Sequence, residues 1–471
     1  MYDAIVIGSG PNGLAAAIRL AQEGLSVKIY EASSTIGGGM RTLELTQKDV
    51  RHDICSAIHP MAVASPYLST LPLQEHGLEW IYPEIPLGHP YKAKESVYLY
   101  RSIEKTARQF SPRSAKAYVD LMTPLADQWQ SLLAHILIHP RFPTNPLRLA
   151  RFGYYAIRSA EGLANKLWDD PKAKALFAGM AAHSFLPLQQ PASSAIGMVL
   201  ALLGHAVGWP VAKGGSQHIA AAMAGYLESL GGVIETGKTI RSLKDAEEAR
   251  YYLLDVSPKQ LIDITGSYQS ERYLNRLRKF RYGPGVFKLD AVLKGPVPWS
   301  DPGLKQTATV HLGGTMEDIS ESEHQMFHGR EADTPYVLVA QQSLVDPQRT
   351  PDSRHTIWAY CHVPGHSEAD MSERILGQIE RYAPGTRERI LGMRTHNTKN
   401  MEAYNPNYIG GDINGGLQSW NQVFTRPVAR ITPYATSHPR IYLCSSSTPP
   451  GGGVHGMCGY NAAEAVLRKM R

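Results

Sequence analysis

The sequence predicts an α/β chain, α+β overall, in which a Rossmann-like domain is interleaved with a domain of antiparallel sheet plus helices. Three observations carry this. The opening residues run strand, glycine turn, helix, strand, up to Glu31. Period-2 runs between Val286 and Val363 mark antiparallel strands. The chain then ends on a short apolar strand, a glycine loop and a helix, so the opening domain is completed only at the C-terminus.

Ala4-Ile-Val-Ile7 is apolar throughout, as a parallel strand buried on both faces must be. After the glycine turn, Leu14, Ala17, Ile18 and Ala21 recur at helical spacing, and Gly24 supplies the C′ stop. Leu25, Val27 and Ile29 alternate as a second strand closing at Glu31, which completes a βαβ unit. Residues 65–206 are mostly helical patterns broken by prolines such as Pro140, Pro143 and Pro146. A helix after Gly214-Gly215 carries the stripe Ile219, Met223, Tyr226 and Leu230; a strand region opens at Val233 and a further buried strand at Tyr252–Val256. Phe287, Leu289, Ala291 and Leu293 alternate with Lys288, Asp290 and Val292. Thr356, Trp358, Tyr360 and His362 alternate with Ile357, Ala359, Cys361 and Val363, and a helix follows over Ser372–Tyr382. The expected division is 1–64, 207–282 and 421–471 for the dinucleotide domain, and 65–206 with 283–420 for a substrate domain with a helical cap. Interleaving of this kind builds a cleft in which ligand and cofactor meet.

At 471 residues, 43% hydrophobic and 19% charged, the chain has the composition of a soluble globular protein. The net charge of +6 is spread along it without a run of five like charges, so no nucleic-acid partner is expected. Cys55, Cys361, Cys444 and Cys458 include no C-x-x-C pair, which argues against a zinc site or a redox dithiol; no metal is expected. The start Met1-Tyr2-Asp3 lacks a signal's basic region, and the longest apolar stretch, Ile196 to Val211, is broken by Gly204, His205 and Gly208. A cytoplasmic location is therefore expected. Trp129 to Arg158 mixes Leu132, Leu133, Ile136, Leu137, Leu147, Leu149 and Phe152 with Arg141, Arg148, Arg151 and Arg158, which suits either a solvated helical cap or peripheral contact with an anionic membrane. Oligomeric state is not fixed by the sequence.

The chemistry lies in Gly8-Ser-Gly10-Pro-Asn-Gly13. A lone G-x-G-x-x-G is a weak signal, but this one follows a strand and opens a helix. Gly8 allows the tight turn, Gly10 lets backbone approach a pyrophosphate, and Gly13 permits close helix–strand packing. Helix N-terminal amides then face the phosphates. Glu31, 18 positions after Gly13, is placed to accept the adenosine ribose hydroxyls and to repel a 2′-phosphate, which favours FAD or NAD over NADP. Gly37-Gly-Gly39-Met-Arg41 offers a second approach to the diphosphate with a cationic partner. The C-terminal run Pro449–Asn461 sets a glycine loop and a helix N-terminus at one spot, where negative charge on a reduced flavin would be stabilised; this favours FAD. No second fingerprint exists, because Gly313-Gly314 and Gly410-Gly411 lack the strand–turn–helix frame.

These motifs resemble those of the phytoene-desaturase-like FAD-dependent oxidoreductases, and more closely the branch of pyridine nucleotide-disulphide oxidoreductase domain-containing protein 2. The resemblance runs nearly end to end. It adds to the opening motif His52–Pro60, Gly204–Pro210 with Gly214-Gly215, Tyr282–Lys288, His355–Pro364, Tyr404-Asn-Pro-Asn-Tyr408 and Gly451–Asn461. It implies an FAD domain of glutathione-reductase type and a separate substrate domain. Carried over by motif, Gly8, Gly10, Pro11, Asn12, Gly13, Glu31, Ala32, Gly38, Gly39 and Arg41 would hold adenosine and diphosphate, Ile240 would flank the adenine, and Gly452, Gly453, Val454 and His455 would meet the isoalloxazine.

The implied reaction is dehydrogenation or desaturation of a hydrophobic, carotenoid- or lipid-like small molecule, with hydride passing to flavin N5. His59 and His455 are the candidate proton-handling residues, each with the alternative of a structural histidine bonded to backbone. Tyr460 is a weaker candidate, and His183, His205 and His362 are expected in the core or at a domain interface. A flavin-dependent double-bond isomerase, an amine-type oxidase, and a non-catalytic lipid- or prenyl-binding protein of the GDP dissociation inhibitor type remain as alternatives. The electron acceptor, whether oxygen, a quinone or another, is not encoded in any motif.

Overall fold

The computed structural model describes residues 1–138 and 146–471, except for the side chain of Arg148; Pro140, Arg141 and Pro143 lie outside the described residues. Two sheets organise the chain. The first is parallel and five-stranded, in the order Ile441–Leu443, Ala249–Leu254, Tyr2–Ile7, Val27–Tyr30, Val233–Glu235. Strand Tyr2–Ile7 sits at its centre, so the glycine turn after Ile7 emerges in the middle of the sheet's carboxyl edge. That is where an open α/β sheet binds its ligand. Helix Pro11–Ala21 packs against helix Met457–Met470, and the contact is close at Gly459. A Cβ there would lie 1.8 Å from the Asn12 carbonyl oxygen, so the C-terminal helix can dock only through a glycine.

The second sheet has seven strands: Ile390–His396, Gly285–Leu293, His355–Val363, Val337–Ala340, Thr309–Leu312, Leu87–Lys92, Glu95–Leu99. All neighbours are antiparallel except Thr309–Leu312 with Leu87–Lys92, which are parallel. The last two strands fall inside the stretch expected to be mostly helical. They are a hairpin whose sequence, Leu-Gly-His-Pro-Tyr-Lys, carries a proline and no clean alternation. Among the described residues, seven helices follow between Ile103 and Ala206, of which Pro171–Ala181 packs against this hairpin.

The period-2 runs have an origin that the alternation alone does not reveal. Strand Gly285–Leu293 is buried along its whole length. One face, with Phe287, Leu289, Ala291 and Leu293, packs with Ile357, Ala359 and Cys361 on the helix Ser372–Tyr382. On the opposite face, Lys288 and Asp290 form a buried ion pair, and His52 Nδ1 lies 3.6 Å from Asp290. The polar side of the alternation thus faces the first domain rather than water.

A second buried cluster ties the domains together. Arg349 is wholly buried and donates to Asp53 from Nη1 and to Asp346 from Nε, both at 2.8 Å. Asp53 also accepts from the Thr42 hydroxyl at 2.7 Å and the Ser216 amide at 2.8 Å, while Asp346 accepts from the Gly214 amide at 2.7 Å. A buried guanidinium is tolerated only where its partners are fixed, and removing it would strand two carboxylates. Arg349→Met is expected to lower stability by roughly 3–5 kcal/mol, and neutralising both acids alongside it (Asp53→Asn, Asp346→Asn) to recover most of that. Thermal unfolding of the single and triple variants checks this.

On the surface, helix Pro146–Ala156 buries Phe152 and Ala156 but leaves Leu147 82% exposed, with Ile157 just beyond it 61% exposed. Among the described residues, no helix is long and apolar enough to cross a membrane.

Candidate active site

One cavity of about 830 Å³ runs from the glycine turn to the antiparallel sheet and its covering helices. At the first end its wall includes Gly8, Gly10, Pro11, Asn12, Glu31, Ala32, Gly38, Gly39, Arg41 and Ile240, together with Gly453 and Val454 from the C-terminal loop. Residues separated by more than four hundred positions thus meet around one space.

The turn is built on steric need. Gly8 has φ +101, in the left-handed region, and a Cβ on Gly13 would lie 2.1 Å from the Gly8 carbonyl oxygen. Gly10 lines the cavity and is also constrained from behind. A Cβ there would lie 2.6 Å from the Asp255 carboxylate, so Gly10 is required by what lies behind the turn. Asp255 follows strand Ala249–Leu254, accepts from the Gly13 amide at 2.9 Å and lines the cavity. Sequence reading located this strand but missed the acid at its end.

Glu31 is held by four donors. The Ser9 amide and hydroxyl reach one oxygen at 3.0 and 2.5 Å, and the Ser33 amide and Arg41 reach the other at 2.9 and 3.1 Å. Arg41 lies against the Tyr404 ring, and the Tyr404 hydroxyl donates to the Gly38 carbonyl at 2.7 Å. Asn407 braces the other side of the cradle, accepting from the Ser257 amide at 2.7 Å and donating to the Asp255 carbonyl at 3.2 Å. The Tyr404–Tyr408 motif is therefore a buttress for the cradle. Asn12 Oδ1 and Gln260 Nε2 are buried in the cavity wall without a partner, as groups awaiting a polar ligand would be. Glycine-cradled backbone, an acid at the second strand's end and unpartnered amide groups together fit a dinucleotide.

His59 does reach the cavity, and its ring is fixed. The Ser216 hydroxyl donates to the Ser56 carbonyl at 2.7 Å, so it accepts from His59 Nε2–H at 2.8 Å. This leaves Nδ1 as a lone pair, buried and without a partner. Burial holds the imidazole at about 4, with Asp53 opposing and Arg349 reinforcing the shift. A neutral ring of fixed orientation can accept a hydrogen bond, but it is a poor base.

His455 is a correction. It lies outside the cavity wall, buried, with Nδ1 accepting from the Met457 amide at 3.0 Å and its carbonyl accepting from Ser65 at 2.6 Å. It shapes the turn into the last helix, which is the structural alternative. Gly452 also lies outside the cavity wall, and a Cβ there would meet the Asn414 carbonyl at 2.8 Å. Gly13 acts from behind the turn through Asp255. Tyr460 packs against Tyr67 with ring centroids 4.6 Å apart, outside the cavity.

At the other end the wall is largely apolar: Ile58, Met61, Phe185, Leu200, Trp209, Leu338, Trp358 and Tyr360. Phe185 adopts φ 57, a conformation costly for a residue with a side chain, and its ring lies 3.9 Å from that of His362. His183 also lines this end, against expectation, whereas His205 and His362 are packed as expected, against Tyr118 and Glu323 respectively.

Residues 6–71 match the family model described as an NAD(P)-binding Rossmann-like domain. The whole chain is 25% identical to pyridine nucleotide-disulfide oxidoreductase domain-containing protein 2 of Rattus norvegicus, covering 94% of that protein. A 1-hydroxycarotenoid 3,4-desaturase of Flavobacterium is 28% identical over 29% of this chain and 25% of its own. Putrescine oxidase bound to putrescine superposes with a TM-score of 0.63 at 19% identity, covering 99% of each chain, and so shares the fold. End-to-end similarity to an oxidoreductase-domain protein and the Rossmann-like match mark the chain as an oxidoreductase with a dinucleotide cradle, and FAD is the cofactor that the cradle suits. The word disulfide in the relative's name has no counterpart here, since all four cysteines are free and well separated in sequence.

Burial raises the Asp255 carboxyl from its ordinary 3.8 to about 7; the Gly13 amide opposes this and the Glu31 charge adds to it. The folded value lies above the unfolded one, so the native state holds the extra proton. The resulting stability is present below about pH 4 and is lost as pH rises through about 7. A diphosphate bound beside it adds to the penalty on ionisation. FAD affinity is expected to fall as pH rises through about 7, and Asp255→Asn to flatten that dependence. Titration of the apoprotein with FAD between pH 5 and 9 measures both.

Proposed function

We propose that this FAD-dependent oxidoreductase is a dehydrogenase or desaturase that passes hydride from a hydrophobic, carotenoid- or lipid-like small molecule to N5 of the flavin. The observation that carries this reading is the distribution of charge in the cavity. Its acidic lining residues, Glu31, Asp255, Asp263 and Glu402, belong to the cradle and to the segments 255–264 and 402–408 beside it. The far end is aromatic and aliphatic, which suits an uncharged, apolar substrate. Similarity to a carotenoid desaturase supports the same direction.

Bound FAD supplies the hydride acceptor. The chain's own part is orientation and exclusion of water. Trp358, Tyr360 and Phe185 offer flat walls, and Leu200, Leu338 and Trp209 keep the site dry. Dehydrogenation removes a proton along with the hydride: the hydride leaves one carbon, and the proton leaves the neighbouring atom to solvent or to a basic group. His59 Nδ1 is an acceptor for such a proton's hydrogen bond, although its burial disfavours the charged form.

An amine-type oxidase is the second reading, favoured by the aromatic wall of Trp358 and Tyr360. The two differ in what reduces the enzyme. In anaerobic titration of the FAD-loaded protein, neutral polyenes and prenyl alcohols are expected to bleach the flavin's visible absorption, and putrescine to leave it unchanged. Bleaching by the amine alone would overturn the desaturase reading in favour of the oxidase.

A further inference from the structure

Helix Pro146–Ala156 is apolar on two opposite sides. Leu149, Phe152 and Ala156 recur at helical spacing and face inward: Phe152 and Ala156 are buried in the core, and Leu149 packs against it. Leu147, Ala150, Tyr154 and Ile157 recur at the same spacing and are all exposed. Ile157 continues this stripe past the helix's last residue, because its amide still donates to the Gly153 carbonyl at 3.1 Å. The two stripes lie roughly 150° apart around the helix axis. A helix on the surface of a globular protein turns polar residues outward. This one turns out a second apolar stripe.

The charge around the stripe has one sign. Residues 128–160 include four arginines and no aspartate or glutamate. Arg151 and Arg158 flank the stripe, and both donate to main-chain carbonyls, those of Asp120 and Tyr154, each at 3.1 Å. The Asp120 carboxylate pairs instead with Lys116 at 2.5 Å, and Glu161, the first acid after the stripe in sequence, accepts from the Ser320 hydroxyl at 2.8 Å. The Tyr154 ring lies 4.3 Å from the Arg158 guanidinium, and its hydroxyl accepts from Lys166 Nζ at 3.0 Å. A tyrosine is thus held where the apolar stripe meets the cations. Such a face is complementary to a bilayer interface with anionic headgroups. It is not complementary to a second copy of itself, since two such faces would bring like charges together.

The position of the helix gives this contact a consequence. The Ser194 hydroxyl lies 2.7 and 2.9 Å from the Tyr155 and Arg158 carbonyls, and so pins the end of the helix to the start of helix Ser194–Ala206. That second helix supplies Leu200 to the apolar end of the cavity. We propose that Leu147, Ala150, Tyr154 and Ile157 form a docking face for an anionic lipid bilayer, with Arg151, Arg158 and Lys166 meeting the headgroups. Docked in this way, the protein touches lipid through a helix carried on one wall of its apolar cavity, which suits a substrate dissolved in the bilayer. That consequence rests on the hydrophobic-substrate reading above; the docking itself does not.

The test is co-sedimentation of the purified protein with vesicles of phosphatidylcholine alone and of phosphatidylcholine mixed with phosphatidylglycerol. Binding to the mixed vesicles is expected to be at least about tenfold tighter than to the neutral ones, and to weaken as salt is raised. Leu147→Ser combined with Ile157→Ser should weaken it by about tenfold or more without moving the thermal unfolding midpoint, because both side chains already face water. Arg151→Gln should cost about fivefold on the mixed vesicles and leave the neutral ones unaffected. Wild-type protein that stays in the supernatant or binds both vesicles equally would overturn the docking face, as would undiminished binding of the double variant. So would a dimer in solution that the double variant dissociates, since a second copy would then be what covers the stripe. Each of these results leaves the hydrophobic-substrate reading to be decided by the flavin titration.

Discussion

Two carboxylates and a guanidinium are taken out of water where the dinucleotide sheet meets the antiparallel sheet, and the cavity depends on their staying paired. Arg349 comes from the loop before strand His355–Val363, whereas Asp53 ends the short strand Arg51–Asp53 beside the cradle. The same carboxylate takes the amide of Ser216, whose hydroxyl fixes His59. Register between the domains, position of the cradle's flanking loop and orientation of a cavity histidine are thus set by one cluster. Buried ion pairs often add little net stability relative to apolar packing. Here the arrangement specifies geometry, because a small shift of either domain would leave a charge unpaired.

With the domains held, the chain makes one space of two characters. The cradle end is polar, with backbone amides, an acid and an arginine. The far end is aromatic and aliphatic, with His59, His183, Thr309 and the Tyr360 hydroxyl among its few polar groups. The charged groups of strand Gly285–Leu293 stay out of the cavity wall: Lys288 is satisfied by Asp290 beneath Trp358, whose ring lies 5.7 Å from the ammonium. An apolar substrate entering this end would desolvate few polar groups, and the flavin end would supply the reactivity. Division of labour of this kind is what a cofactor-dependent dehydrogenation needs from its protein.

Much of the dinucleotide half was legible because it is local. Tyr2 to Tyr30 forms a strand, turn, helix and strand within one short stretch, and Gly13 is required by its contact with Gly8 inside it. The helix Ser372–Tyr382 announced itself through its periodicity. The antiparallel strands after Val286 were visible as alternation, but their polar face was not readable as a second interior, since period alone does not say what lies opposite. Leu87–Leu99 was missed because its hairpin carries Pro90 and is stabilised by pairing with Thr309–Leu312, far away in sequence. Asp255 and His183 have partners more than two hundred and more than one hundred positions distant respectively, and a single sequence holds no trace of those pairings. His455 shows the converse. Its neighbours Gly453 and Val454 do line the cavity, but the left-handed Gly456 turns the chain at that point and leaves the imidazole capping the last helix.

The central claim is that the cradle holds FAD at one end of a substrate cavity. The visible absorption spectrum of the purified protein, followed by release and identification of its chromophore, tests this most directly. The account predicts a flavin spectrum and recovery of FAD at about one per chain. A colourless protein that also fails to take up added FAD would contradict it, and the cavity would then have to be explained as a binding site without redox chemistry.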